Sequence, residues 1–179
     1  IIYKMKNIVK VYNKNKSKYV TIFVLLIIYS CVFMNKQLEP KTKTPLDMWS
    51  LTHIEHGIIL YYVADLLKIN KLFFVLSFEI CFEIFENSNF GIKIFDKIDN
   101  VGYTGDNFYN SLCDIISCIF GYVLATYFKH TTLIIIIIIL EIIVYVTIKE
   151  SLFTVIVNLL YFAIYYIIYF KFPKKQIKF

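Results

Sequence analysis

Six apolar stretches, at about residues 19–34, 50–67, 72–87, 108–128, 132–148 and 152–171, follow one another with short polar breaks between them. A helix of about 20 apolar residues spans the hydrocarbon core of a bilayer. Inside that core the backbone must satisfy its own hydrogen bonds, which leaves helices and closed barrels as spanning structures. The second and third stretches are short and interrupted by charge. Hydrophobic residues nevertheless make up 59% of the chain, more than an ordinary soluble domain can bury. The expected fold is an all-α, polytopic transmembrane bundle of about six helices. It forms one domain over 19–171, between a basic segment at 1–18 and a basic tail at 172–179. Ile134–Ile139 would suit a strand in water, but its apolar surroundings favour a helix.

The chain is rich in Ile, Lys, Asn, Phe and Tyr and has no Arg. This pattern resembles A/T-rich coding bias, so the net charge of +6 is not read as nucleic-acid binding. The positions of the lysines carry more information. With a cytoplasmic N-terminus, thirteen lysines fall on the inside and six on the outside, which favours both termini inside. The expected location is a multi-pass integral membrane protein, in the inner (plasma) membrane if the source is bacterial, with membrane lipid as partner. The first stretch also fits an uncleaved signal anchor, because it follows a basic segment. The first residue is not Met, so Met5 is one candidate start and a fragment of a longer chain is the other. Cys31, Cys81, Cys113 and Cys118 lack CxxC spacing and are expected to pack as small residues rather than to form disulfides or a zinc site. Ser88–Gly105 is read as an ordinary loop, with a lid or an interfacial half-helix as the alternative.

Ionisable side chains cost roughly 2.5–3.5 kcal/mol each near the middle of a membrane helix, so those that occur there need partners or a ligand. They fall in three clusters. His53 and His56, followed by Gly57, are three apart and share a helix face. A glycine beside them leaves room for a neighbouring backbone. Glu79, Glu83 and Glu86, followed by Asn87, recur at i, i+4 and i+7, which puts three acids on one stripe of an apolar helix. Like charges so placed repel, so at neutral pH either some are protonated or a cation sits among them. No Lys lies between Leu72 and Asn89 to pair with them. Glu55 either adds a further acid or lies at the interface. Asn107, Asn110, Ser111 and Asp114 form a third stripe, and Asp106 is placed to cap that helix. Glu141, midway along the fifth apolar stretch, is expected to face the bundle.

In the proposed topology the three clusters meet near the outer end. Carboxylates, amides and imidazole without thiolates suit a hard divalent cation, Mg²⁺, Mn²⁺ or Ca²⁺, better than structural zinc. The residues read as metal ligands are Glu83, Glu86, Asp106 and Asp114. His53 or His56 serves as acid/base, and Glu79, Asn87, Asn110, Ser111 and Glu141 are supporting polar groups. The leading functional reading is a metal-dependent membrane enzyme acting on a lipid or lipid-linked headgroup. The alternative is a non-enzymatic cation or proton transporter, channel or membrane-complex subunit that uses the same residues.

Thr52-His53-x-x-His56-Gly57, Glu79-x3-Glu83-x2-Glu86-Asn87, Tyr103-x-Gly105-Asp106-x3-Asn110-Ser111-x2-Asp114, and Glu141 with Ile148-Lys149-Glu150 together resemble a bacterial membrane family, UPF0314 or DUF2585. The resemblance runs from about Pro45 to Glu150 and brings no established activity with it. The chain departs from the family pattern at Asn107, where the family has Ser, and at Phe82, where it has Trp. Family arginines are replaced by Lys or missing, which weakens any role that needs a bidentate clamp on phosphate. A looser likeness, at the level of pattern alone, is to base-exchange phosphatidylserine synthases.

Overall fold

A computed structural model describes residues 17–18, 20–30, 33, 45–99 and 103–148. The described residues form six helices and no strand: α1 Val20–Ser30, α2 Ser50–Leu66, α3 Lys71–Glu86, α4 Asn89–Asp99, α5 Phe108–Tyr127 and α6 His130–Ile148. The stretches expected at 50–67, 72–87, 108–128 and 132–148 coincide with α2, α3, α5 and α6 to within two residues. Ile134–Ile139 is helical, as expected. The sixth expected span at 152–171, most of the basic segment, the tail, Cys31 and Lys149-Glu150 lie outside the described residues.

Local chemistry explains where the helices start and stop. At the end of α2, Lys68 adopts a left-handed conformation (φ 57°). The Ile69 N–H then bonds the Ala64 carbonyl and the Lys68 N–H the Asp65 carbonyl, a Schellman stop. Asn70 immediately caps α3 by accepting from the Phe73 N–H at 2.9 Å. This tight hairpin is clamped by Lys71, which pairs with Asp65 at 3.1 Å and lies over the Tyr61 ring. As a result α3 runs antiparallel to α2, and its acidic C-terminal half lies beside the histidines at the start of α2.

Two glycines fix the other central contact. A Cβ on Gly57 would lie 1.9 Å from the Cys118 carbonyl oxygen, and one on Gly121 would lie 1.9 Å from that of Ile54. Backbone therefore meets backbone where α2 crosses α5, the close approach that small residues permit between packed helices. The room expected beside Gly57 is filled in this way. The two helices run parallel, so both present their N-terminal turns at one end of the bundle. Tyr29 of α1, with Phe33 beyond it, packs against Ile80 of α3 and Ile115 of α5. α6 packs through Leu133 and Ile137 against Ile58 and Ala125.

One expectation needs correction. The segment read as an ordinary loop, Ser88–Gly105, contains the helix α4. Ser88 starts it by accepting from the Gly91 N–H at 3.0 Å, and Gly91 lets its first turn press on the Phe85 carbonyl. Lys93, Asp96 and Lys97 point outward, while Phe95 packs against Phe82, Phe85 and Tyr103. Glu55, for which an interfacial position was one reading, is fully buried.

Candidate functional site

The first turn of α2 is set by Asp47, whose Oδ1 accepts from the N–H groups of Trp49 (2.8 Å) and Ser50 (3.2 Å). The Ser50 hydroxyl in turn accepts from the Asp47 N–H at 3.4 Å, a reciprocal arrangement like a capping box. Asp47 Oδ2 accepts from Asn110 Nδ2 at 3.3 Å, and Ser50 donates to Asp114 Oδ1 at 2.6 Å. The start of α2 is thereby tied to the start of α5. Thr52, His53 and Glu55 lie on the turn that follows, with His53 and His56 on one face.

The cap of α5 is Asn107, which accepts from the Asn110 N–H at 2.9 Å, rather than Asp106 as expected. Gly105, with φ 85°, makes the turn before it, a backbone conformation that glycine adopts without strain. Asp106 is thereby turned toward α3. Its N–H donates to Asn87 Oδ1 at 2.6 Å, and its Oδ2 accepts from the Tyr103 hydroxyl at 2.6 Å. Burial and the neighbouring carboxylates Glu86 and Asp106 hold the Tyr103 phenol well above its ordinary range, so it remains a hydrogen-bond donor. Asn87, which ends α3, donates to the Glu83 carbonyl at 3.0 Å and to Glu83 Oε2 at 3.4 Å.

Between these tethers the acidic stripe of α3 meets the histidines. His53 Nδ1 is hydrogen-bonded to Glu79 Oε1. Its Nε2 lies 4.0 Å from Asp114 Oδ2, and its Nδ1 lies 3.7 Å from Glu83 Oε1. Glu79 thus holds one ring nitrogen and leaves the other directed at Asp114, the carboxylate–histidine geometry that orients metal-ligating imidazoles. Glu83 Oε2 accepts from the Ser111 hydroxyl, and Ser111 accepts from the Tyr29 hydroxyl at 3.1 Å. His56 Nδ1 lies 3.8 Å from Glu79 Oε2, beyond hydrogen-bond reach. The two imidazole rings meet edge to face, with Phe82 against both.

Among the described residues, three sets of side chains bring ligand atoms within 4.8 Å of one another: His53/His56/Glu79, His53/Glu83/Asp114 and Glu83/Glu86/Asp106. Glu79 and Glu83 are 1% and 0% exposed, yet Glu79 Oε2 and Glu83 Oε1 are buried without a hydrogen bond, as is His56 Nδ1. Buried polar atoms are satisfied in all but a few cases, and unpaired carboxylate oxygens are the most costly to leave bare. Three such atoms in one place fit a positively charged guest. Two ligand atoms on one ion, each about 2.1 to 2.5 Å from it, can be up to about 4 to 5 Å apart. The observed separations fall within that span.

The predicted residues His53, His56, Glu79, Glu83, Glu86, Asn87, Asp106, Asn110, Ser111 and Asp114 therefore converge at one end of the bundle. Glu141 does not join them. It lies on α6, in register with the buried residues Leu133, Ile137 and Val144, so it faces the bundle away from the cluster. Three contributors escaped the sequence reading: Asp47, Ser50 and Tyr29. Asp47-x-x-Ser50 ahead of an apolar run is a recognisable helix start. Tyr29 carried no local signal.

Residues 27–168 match the family model described as a protein of unknown function (DUF2585). A UPF0314 protein of Brucella anthropi is 26% identical over 121 residues, covering 64% of this chain and 62% of the relative. A UPF0314 protein of Agrobacterium fabrum is 33% identical over 102 residues, covering 50% and 52%. The chain thus matches between half and two thirds of the length of these curated relatives. No solved structure matches it. The match to the family model takes in every residue of the cluster, and the chain belongs to the DUF2585 family.

Proposed function

We propose that this chain is a multi-pass membrane enzyme that holds a divalent cation at the α2–α3–α5 cluster and acts on a lipid or lipid-linked headgroup. α5 and α6 have the length and composition of membrane spans. Support for a lipid environment comes from their outward faces, where Ile116, Phe120, Ile135, Ile142 and Val146 are all more than half exposed. Apolar surface on that scale calls for a lipid or protein cover.

The observation that carries the cation is Glu83 Oε1, a buried carboxylate oxygen without a hydrogen bond, set among His53, Asp114, Glu86 and Asp106. A bound cation would polarise a phosphoryl or carbonyl oxygen. His53, held by Glu79, belongs with the ligands in this reading. His56 takes the acid/base role, because its side chain is 29% exposed and its Nδ1 carries no hydrogen bond. In this reading α4, with Lys93, Asp96 and Lys97 exposed, lies at the headgroups beside the half-buried Glu86. A through-membrane conductor fits less well, since Leu60, Val75 and Cys118 pack into an apolar layer beyond the site.

The test is reconstitution of the purified chain in vesicles of phosphatidylethanolamine, phosphatidylglycerol and cardiolipin with Mg²⁺ or Mn²⁺. Headgroup conversion is followed by mass spectrometry and cation and proton flux is measured in parallel. The expected result is a new lipid product that Glu83→Gln abolishes. Flux without any lipid product would overturn the enzymatic reading in favour of the conductor.

A further inference from the structure

His53, Glu83 and Asp114 share one pattern. His53 gives Nδ1 to Glu79 and leaves Nε2 directed at Asp114 Oδ2, 4.0 Å away. Asp114 accepts from Ser50 through Oδ1, at 2.6 Å, and faces His53 with Oδ2. Glu83 accepts from Ser111 and Asn87 through Oε2, while its Oε1 is buried without a hydrogen bond. Each residue thus has one heteroatom anchored to the scaffold and a second one turned inward, and the three lie close enough to share an ion. From this pattern we infer that the ion sits in this inner set, bound through the His53 imidazole, and that it is a first-row transition metal such as Mn²⁺ or Zn²⁺ rather than Mg²⁺ or Ca²⁺. The inference rests on the cation-binding reading above and adds to it the class of the ion and its nitrogen ligand.

Two physical arguments set the class. The first is the supply of donors. Ca²⁺ takes six to eight oxygen ligands, and Mg²⁺ takes six and gives up its waters reluctantly. The inner set offers two carboxylates and one imidazole, on residues that are 5% (His53), 0% (Glu83) and 3% (Asp114) exposed, so bulk water has little access to complete a shell of oxygens. The second is the nature of the donors. Imidazole suits the later first-row metals, whereas Mg²⁺ and Ca²⁺ favour oxygen alone. The neighbouring set Glu83/Glu86/Asp106 has no imidazole and is less buried, so the nitrogen ligand separates the two seats.

Glu79 is the positioning residue in this arrangement. Its Oε1 holds His53 Nδ1, which selects Nε2 as the ligating atom and makes the ring a stronger donor. The carboxylate is itself 1% exposed, and the bond joins residues 26 apart on two helices. It strengthens the one ligand that distinguishes the two classes of metal. The acids visible in the sequence pointed to a hard ion; the pairing of Glu79 with His53, which only the α2–α3 hairpin brings about, shifts the preference.

The experiment uses Mn²⁺ as probe on the purified chain in nanodiscs of phosphatidylcholine, whose zwitterionic headgroups bind little metal. Electron spin echo envelope modulation reports a nitrogen bound directly to Mn²⁺, and competition with Mg²⁺ and Ca²⁺ reports selectivity. The expected result is a bound Mn²⁺ with the nitrogen coupling of one imidazole, retained against about a hundredfold excess of either competitor. His53→Gln should abolish the coupling. Glu79→Gln should keep the coupling, weaken Mn²⁺ binding about 10–100-fold and narrow the preference over Mg²⁺, a change that loss of packing alone would not produce. If either variant fails to fold, the wild-type coupling and competition still decide. Bound Mn²⁺ without nitrogen coupling, or displaced by Mg²⁺ or Ca²⁺ at equal concentration, would overturn the inference and leave the cation reading intact. Failure of every one of these ions to bind would overturn both.

Discussion

Replacing Gly57 or Gly121 with Ala should loosen the site from a distance. Each added Cβ would meet a carbonyl oxygen at 1.9 Å, Cys118 in one case and Ile54 in the other. Ordinary carbon–oxygen contacts begin at about 3.3 Å, so α2 and α5 would have to part by about 1.4 Å. The Ser50–Asp114 hydrogen bond, 2.6 Å long, would stretch to about 4 Å and be lost. Overpacking of this kind costs about 1–3 kcal/mol, and a bond to a charged group adds about 1.5–3 kcal/mol. Each variant should therefore lose about 2.5–6 kcal/mol in reversible unfolding from mixed micelles, and its divalent-ion affinity should fall with it. Because one separation relieves both clashes, the double variant should cost little more than the worse single one. Single variants within about 0.5 kcal/mol of wild type, with unchanged ion binding, would refute the close crossing.

Two further variants probe the tethers. Ser111→Ala strands the Tyr29 hydroxyl and leaves Glu83 Oε2 only its longer contact with Asn87, and should cost about 1–3 kcal/mol; Tyr29→Phe should cost less, since Ser111 keeps Glu83 as its acceptor, and equal losses would contradict that direction of donation. Asp47→Ala removes the cap of α2 and the Asn110 contact, for a loss of about 1 kcal/mol or more in the same unfolding assay. Asp47→Asn, which keeps a capping oxygen, should recover most of it.

Much of this arrangement was legible because helical periodicity is local. The i, i+4, i+7 spacing of Glu79, Glu83 and Glu86 required a common face, and the Asn110/Ser111/Asp114 stripe required another. Apolar runs set the helices that carry them. The site residues met because one tight hairpin and one glycine crossing put three helix ends together, and Gly57 was the visible trace of that crossing. What was misread turns on choices between neighbours. Asp106 and Asn107 are both good caps, and only the fold shows that Asn107 takes the role, leaving Asp106 for the site. α4 looked like a loop because its glycine and charges interrupt a short apolar pattern whose packing surface, Phe82 and Phe85, lies on another helix. Tyr29 reaches Ser111 across 82 residues, a contact that no spacing rule contains.

The central claim is that the buried carboxylates of α3 and α5 hold a divalent cation, and thermal unfolding in detergent with and without Mg²⁺, Mn²⁺ or Ca²⁺ tests it most directly. A ligand that binds only the folded chain stabilises it by about 2.7 kcal/mol at a hundredfold excess over Kd. The account predicts a rise in Tm with at least one of these ions, larger at pH 8 than at pH 6 because the ion displaces protons from its ligands. The rise should be absent in Glu83→Gln/Glu86→Gln, which keeps side-chain volume and removes charge. Identical responses of wild type and double variant to every ion would contradict the account.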